Sequence, residues 1–378
     1  MRRVVVIGGG VIGLLTAVEC VRAGAQAELA DRSWIPAADA TSHDLYRVVR
    51  ALHRGDERLT GAAARAQEAW LDVQRFLGIR CYYRTGALTV MDAGEVPANL
   101  ALLAAAGAAA QQASAAGARA RYPHIRFAPG TGAVFEPGAG VVLASCVLRA
   151  LADWLRAQSA VRLRPRSPVT AIDEPAAAVR LADGTALTAD SVVVATGPWS
   201  RELLPPSVAG DLTLYRQTML SYAPPDPAWN QTPAMLGLGT ARDAWLIPPV
   251  DGTSARLSAA SACRAVAEMD GRETPREWRD HLIATFAPVL EGFDPAVVTG
   301  AADGYYLAAA AGGGPLLATS ADGTVVAYAA CGGMSFKFAP LIARALADRA
   351  LGRQPRPTGI DQIDRPRLEG GTDEAARP

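Results

Sequence analysis

Gly8-Gly9-Gly10-Val11-Ile12-Gly13 follows a short apolar run and precedes a helical pattern, the spacing of a turn that receives a dinucleotide pyrophosphate. Gly8 permits the tight turn, Gly10 lets the backbone approach the phosphates, and Gly13 allows strand and helix to pack closely. Val11 and Ile12 open the helix, whose first N–H groups and dipole favour negative charge. Asp31, 18 residues after Gly13, stands at the end of a second strand pattern, where a carboxylate accepts hydrogen bonds from an adenosine ribose. These residues suit NAD and FAD alike.

Two later features favour FAD. Val192 to Trp199 reads as a buried strand ending in a small-residue turn, Ala195-Thr196-Gly197-Pro198-Trp199. Gly332 and Gly333 precede a C-terminal helix pattern and offer N–H groups to an anionic or polarised ring edge. Lys337 is the only lysine, against 36 arginines among 37 basic residues, so it persists where arginine serves as the general surface cation.

The elements that must hold these residues are legible in outline. Val4 to Ile7 predicts a parallel strand buried on both faces, Leu14 to Ala23 a helix, and Ala27 to Ala30 a second strand, together a βαβ unit. The spacing predicts mostly helix over 43–80, a solvent-side helix over the alanine-rich 98–120, strands near 132–136, and a helix over 144–157. Strands come next over 161–172 and 179–187, then the apolar run Ser191 to Ala195, a strand-rich region over 212–262, and a helix over 275–286. Two strands beyond Ala302 and a helix over 340–351 complete the ordered chain, and 353–378 reads as a disordered tail.

Length, 378 residues, allows more than one domain. With 37 basic and 37 acidic residues the net charge is zero, which removes the electrostatic footprint of nucleic-acid binding. Five scattered cysteines without a CxxC pair imply neither a disulfide framework nor a metal site. No membrane span is expected, and although the start resembles an export signal, its glycines and charges argue for a cytoplasmic protein.

Five segments in order carry a family resemblance: the glycine turn with Asp31, Thr41 to Arg50, Phe135-Glu-Pro-Gly-Ala-Gly140, Ala195 to Trp199, and Gly332 to Phe338. The chain resembles the monomeric sarcosine oxidase and N-methyltryptophan oxidase group of D-amino-acid-oxidase-like flavoproteins over about residues 1–352. The resemblance implies an α/β fold with a Rossmann-like FAD-binding domain (1–80, 141–211, 301–352) and a substrate domain on a large mixed sheet (81–140, 212–300). It implies oxidation of the C–N bond of an amino acid or cyclic amine, with a hydride equivalent passed to FAD and then to oxygen or another acceptor. A carboxylate-bearing amine is the expected partner, and a monomer or weak dimer the expected assembly.

The same resemblance assigns Arg50 and Lys337 to the substrate carboxylate, which suits a bidentate guanidinium and a compact ammonium. His43 is placed in the active site, Tyr306 near the substrate, and Arg47 against the flavin. Arg32, Ser42, Val169, Met334 and Ser335 join the glycines, Asp31, Ala195, Thr196, Gly197, Trp199 and Lys337 as cofactor-binding candidates. Gly304 stands where sarcosine oxidases attach FAD to a cysteine, so non-covalent FAD, one per chain, is expected. Arg256 replaces a lysine that activates oxygen, which puts fast oxidase turnover in doubt. Met334 and Ala260 replace histidines, which implies a bulkier substrate than sarcosine. The rival readings are an NAD(P)-dependent dehydrogenase and a non-redox flavin-binding partner in a biosynthetic pathway.

Overall fold

The computed structural model describes residues 1–310 and 315–358 together with the strand Asp364–Arg365. They fall into two units: Met1–Asp44, Ala144–Leu214 and Tyr306–Pro378 form the first, and Leu45–Leu143 and Tyr215–Tyr305 the second.

The first unit is built around the strand Arg3–Ile7, whose β-branched Val4 to Ile7 suit a strand covered on both faces and are fully buried. It pairs in parallel with Gln26–Ala30 on one side and Ser191–Val194 on the other. Val161–Arg164 and Val325–Cys331 extend the parallel set, and Pro315–Thr319 adds an antiparallel strand with Asp364–Arg365 beyond it. The helices Ala144–Arg156 and Ser335–Ala350 both pack on Val11–Arg22. Val169–Asp173, Ala178–Leu181 and Ala186–Thr188 make a separate small sheet.

The second unit carries a nine-stranded mixed sheet, one face of which covers an apolar core including Leu88, Leu220, Met235, Leu246, Leu257 and Phe286. Strict alternation in Leu212–Tyr222, buried at every second residue, turns the intervening side chains to the other face. A small antiparallel sheet joins Tyr46–Val49, Gly140–Leu143 and Tyr82–Tyr83. The helix Glu57–Leu77 beside it is capped by Asp56 and stopped by left-handed Gly78.

Several expectations need correction. Residues 43–56 are not helical: Tyr46–Val49 finds a strand partner in Gly140–Leu143, and helix begins at Glu57. This pairing, with the packing of Glu57–Leu77 on the helix Val96–Ala105, draws 45–80 into the second unit rather than the nucleotide-binding one. The alanine-rich stretch breaks at Gly107, after which Gln111–Ser114 pairs with the strand Thr131–Glu136. The run over 161–172 divides into Val161–Arg164 and Val169–Asp173. The last helix begins at Ser335, with Pro340 inside it, so Lys337 is helical. The start of the expected tail is tied down, since Arg356 donates to both carboxylate oxygens of buried Asp348; residues 359–363 and 366–378 lie outside the described residues.

Candidate active site

The glycine turn has the shape that its sequence requires. Gly8 has φ +114°, and a Cβ there would lie 2.3 Å from the Ala195 carbonyl oxygen. A Cβ at Gly13 would lie 1.9 Å from the Gly8 oxygen. Both glycines are therefore dictated by close backbone approach. Gly10 has an ordinary backbone, and its would-be Cβ stands 3.2 Å from Ser42 Oγ, so its lack of a side chain keeps the front of the turn open. Ser42 Oγ accepts the Val11 N–H at 3.1 Å, while the Ile12 carbonyl accepts Thr16 Oγ1 at 2.7 Å. The first helical turn carries no acidic residue and Gly10 supplies no side-chain cap.

Asp31 braces the glycine turn itself. Its Oδ2 accepts the Gly9 N–H and its Oδ1 the Ser33 N–H, both at 2.6 Å, so the carboxylate pins the glycine turn. Each oxygen keeps a further lone pair for a hydroxyl. Burial pushes its carboxyl above the usual range, against the pull of those two donors. An open cradle, an anion-compatible helix start and this acid fit the adenosine diphosphate portion of FAD. Arg32 lies 4.6 Å over the Trp199 ring and 3.6 Å from Asp39, which brings two predicted cofactor residues together. Thr196 Oγ1 bonds Ser200 Oγ at 3.1 Å, and Gly197 is left-handed. Val169 opens the separate small sheet opposite Leu181.

The second glycine segment differs from expectation. Gly332 donates its N–H to the Leu307 carbonyl at 2.9 Å and Met334 to Cys331 at 3.3 Å, so Gly332 offers no donor to a ligand. The helix Ser335–Ala350 that follows also has no acidic residue in its first turn, so its positive dipole end is compatible with negative charge. Ser335 spends its hydroxyl on Tyr328 and the Cys331 carbonyl, leaving only its backbone for a cofactor. Burial holds the Tyr328 hydroxyl well above the usual phenol range. Gly333 is left-handed, and a Cβ on it would stand 3.0 Å from Tyr306 Cζ, so Tyr306 is seated against this loop. Lys337 is half-buried in the first helical turn, its Nζ 5.5 Å from the Phe338 ring centre. His43 is half-buried in the turn over 40–44, its N–H bonded to the Ala40 carbonyl at 2.9 Å.

The second unit holds Arg47, Arg50 and Arg256. Arg47 lies on the strand Tyr46–Val49, opposite Val142, and its Nη1 donates to the Tyr46 carbonyl. Arg50 follows that strand directly, and loss of water lowers its guanidinium pKa while the Glu136 carboxylate works to raise it. Arg256 is buried on the strand Ala255–Ala259, where Nη1 donates to Ser221 Oγ at 2.7 Å, in register with Ser221 and Ile247. Gly304, near Met219, supplies no thiol; Ala260 is exposed.

Sequence reasoning missed Glu136 as a partner of Arg50, although its motif was noticed. That motif now has physical content: Glu136 is 2% exposed and takes backbone N–H groups, and a Cβ at Gly140 would lie 2.2 Å from the Tyr83 carbonyl. Among the described residues no group of three or more His, Cys, Asp or Glu could hold a metal ion, and no helix is long and apolar enough to cross a membrane.

Comparison with known proteins fits this geometry. Residues 3–349 match the family model described as FAD dependent oxidoreductase. Monomeric sarcosine oxidase from Bacillus sp. (strain B-0618) is 25% identical over 209 residues, 53% of this chain and 52% of that enzyme. The chain thus spans about half the length of the curated relatives it matches. NikD, an unusual amino acid oxidase essential for nikkomycin biosynthesis, superposes with a TM-score of 0.80 at 19% identity, over 95% of this chain and 97% of NikD. L-proline dehydrogenase from P. horikoshii superposes with a TM-score of 0.78 at 17% identity, over 94% and 95% of the two chains. The nicotinamide alternative is thereby set aside: this chain belongs to the family of FAD-dependent oxidoreductases with the D-amino-acid-oxidase-like fold.

Proposed function

We propose that this enzyme oxidises the C–N bond of a carboxylate-bearing secondary or cyclic amine, bulkier than sarcosine, to the imine. The observation that carries the reading is the placing of Arg50, half-buried directly after the strand Tyr46–Val49 and followed by two peptide N–H groups held by Glu136, whose planar fork of donors suits a carboxylate. Arg50 and Lys337 hold the substrate carboxylate. His43 attends the proton of the substrate amine, which must be neutral before hydride leaves the α-carbon. Tyr306, seated against Gly333, lines the substrate side. When bound, FAD supplies the two-electron sink. Gly8, Gly10, Gly13, Asp31, Ser42 and the start of the last helix hold it without a covalent bond, since residue 304 is glycine.

Arg256 is a buried cation suited to stabilising developing negative charge on an acceptor, with oxygen used slowly or replaced by another oxidant. Met334 and exposed Ala260 support the larger substrate. Five free cysteines support a reducing, cytoplasmic setting. The names of the relatives, which include sarcosine oxidase and proline dehydrogenase, point to the same substrate class.

The test is anaerobic mixing of the FAD-loaded enzyme with sarcosine, pipecolate and aromatic N-methyl amino acids, monitored at the flavin band near about 450 nm. Bleaching by the bulkier amines, slowed in Lys337→Met, is expected. Preference for sarcosine overturns the size argument, and no bleaching by any amine favours a non-redox role.

A further inference from the structure

The strand Tyr46–Val49 is anchored residue by residue to Gly140–Leu143, but Arg50 stands just beyond the last pair, Val49 with Gly140. Strand pairing therefore does not fix its direction. The next two residues are held in an unusual way: Ala51 and Leu52 are 0% exposed and donate backbone N–H groups to one side chain. Ala51 N–H reaches Glu136 Oε2 at 2.7 Å, and Leu52 N–H reaches Oε2 at 3.2 Å and Oε1 at 3.3 Å. Glu136 is the last residue of Thr131–Glu136, a strand paired on both sides, and so gives the clamp a rigid base. Tyr82 closes the arrangement by donating to the Gly138 carbonyl at 3.0 Å.

We infer that Glu136 is the positioning residue of Arg50: one carboxylate oxygen takes the two peptide N–H groups after Arg50 and so sets where the guanidinium stands. The inference rests on the reading that Arg50 binds the substrate carboxylate. A buried peptide N–H must be satisfied, so the turn adopts whatever path brings both donors to that oxygen. Because Oε2 is the shared acceptor, the work requires a correctly placed oxygen rather than a charge. Gln retains it, Asp withdraws it by one methylene, and Leu removes it.

The test compares Glu136→Gln, Glu136→Asp and Glu136→Leu with Arg50→Ala in the FAD-loaded enzyme, titrated with benzoate as a carboxylate probe through the flavin absorbance change, alongside KM and kcat for the best amine substrate. Gln is expected within about threefold of wild type, Asp weaker by about tenfold, and Leu weaker still. The losses should fall on benzoate affinity and KM, with flavin content and kcat at saturation little changed. If Leu fails to fold, the Gln and Asp pair still decides. Unchanged benzoate affinity in Asp, or Gln as damaging as Asp, overturns the inference. Unchanged affinity in Arg50→Ala instead overturns the reading on which it rests.

Discussion

The fork geometry of Arg50 is the feature most exposed to substitution. Arg50→Lys keeps the charge but loses the paired donors that match a carboxylate, so KM for the substrate should rise about 10- to 100-fold, roughly 1.4 to 2.8 kcal/mol, with a smaller change in kcat. Steady-state kinetics check this directly; an unchanged KM would separate Arg50 from the carboxylate. His124 gives a different kind of prediction. It is 9% exposed, its Nε2 bonded to Thr232 Oγ1 at 2.8 Å and its ring against Trp229, and burial lowers its pKa. The unfolded chain therefore takes up a proton near pH 6.5 that the folded chain refuses, so stability present at pH 7 falls as pH drops through that value, by at most about 1.4 kcal/mol per unit. Urea midpoints of wild type and His124→Gln between pH 7 and 5 should show a smaller pH slope in the variant. The glycines, Asp31 and Lys337 stood out in the sequence because spacing or rarity marked them. Glu136 did not, because its meaning depends on the turn that it meets across 84 residues.

At the level of elements, the glycine turn separates folding from cofactor binding. Gly13→Ala forces the helix Val11–Arg22 away from the Gly8 carbonyl and should cost about 3 kcal/mol even in the apoprotein. Gly10→Ala meets only ordinary backbone geometry and one side-chain oxygen, so the apoprotein should keep its thermal midpoint while FAD affinity drops at least tenfold. Fluorescence titration with FAD and melting of the apoproteins test the pair; equal destabilisation by both would refute the distinction. The parallel strands and their helices were readable because apolar runs and turn residues agree there. The boundaries failed where partners distant in sequence decided the outcome: Tyr46–Val49 became a strand through Gly140–Leu143, and Gln111–Ser114 through Thr131–Glu136. The last helix, expected over 340–351, begins at Ser335 and accepts Pro340 within its early turns.

For the molecule as a whole, the non-covalent attachment of FAD proposed from Gly304 implies linkage between cofactor and stability. Free FAD at one hundred times its dissociation constant should add about 2.7 kcal/mol, raise the melting temperature, and leave a colourless polypeptide with all flavin in the supernatant after acid precipitation. Flavin retained on the precipitated chain would refute the reading of Gly304. The two-part architecture was legible from the family resemblance, whereas the membership of 45–80 was not, because composition does not reveal which unit a strand joins. The first unit is also assembled from three separated stretches, and this has a bearing on synthesis. Arg3–Ile7 is made well before one of its neighbours, Ser191–Val194, which follows the helix Ala144–Arg156, and the second helix that packs on Val11–Arg22 ends only at Ala350. The βαβ segment over residues 3–30 must therefore wait with apolar surface uncovered until the stretch ending at Ala350 has been made, a long interval in which chaperone contact has the most to protect.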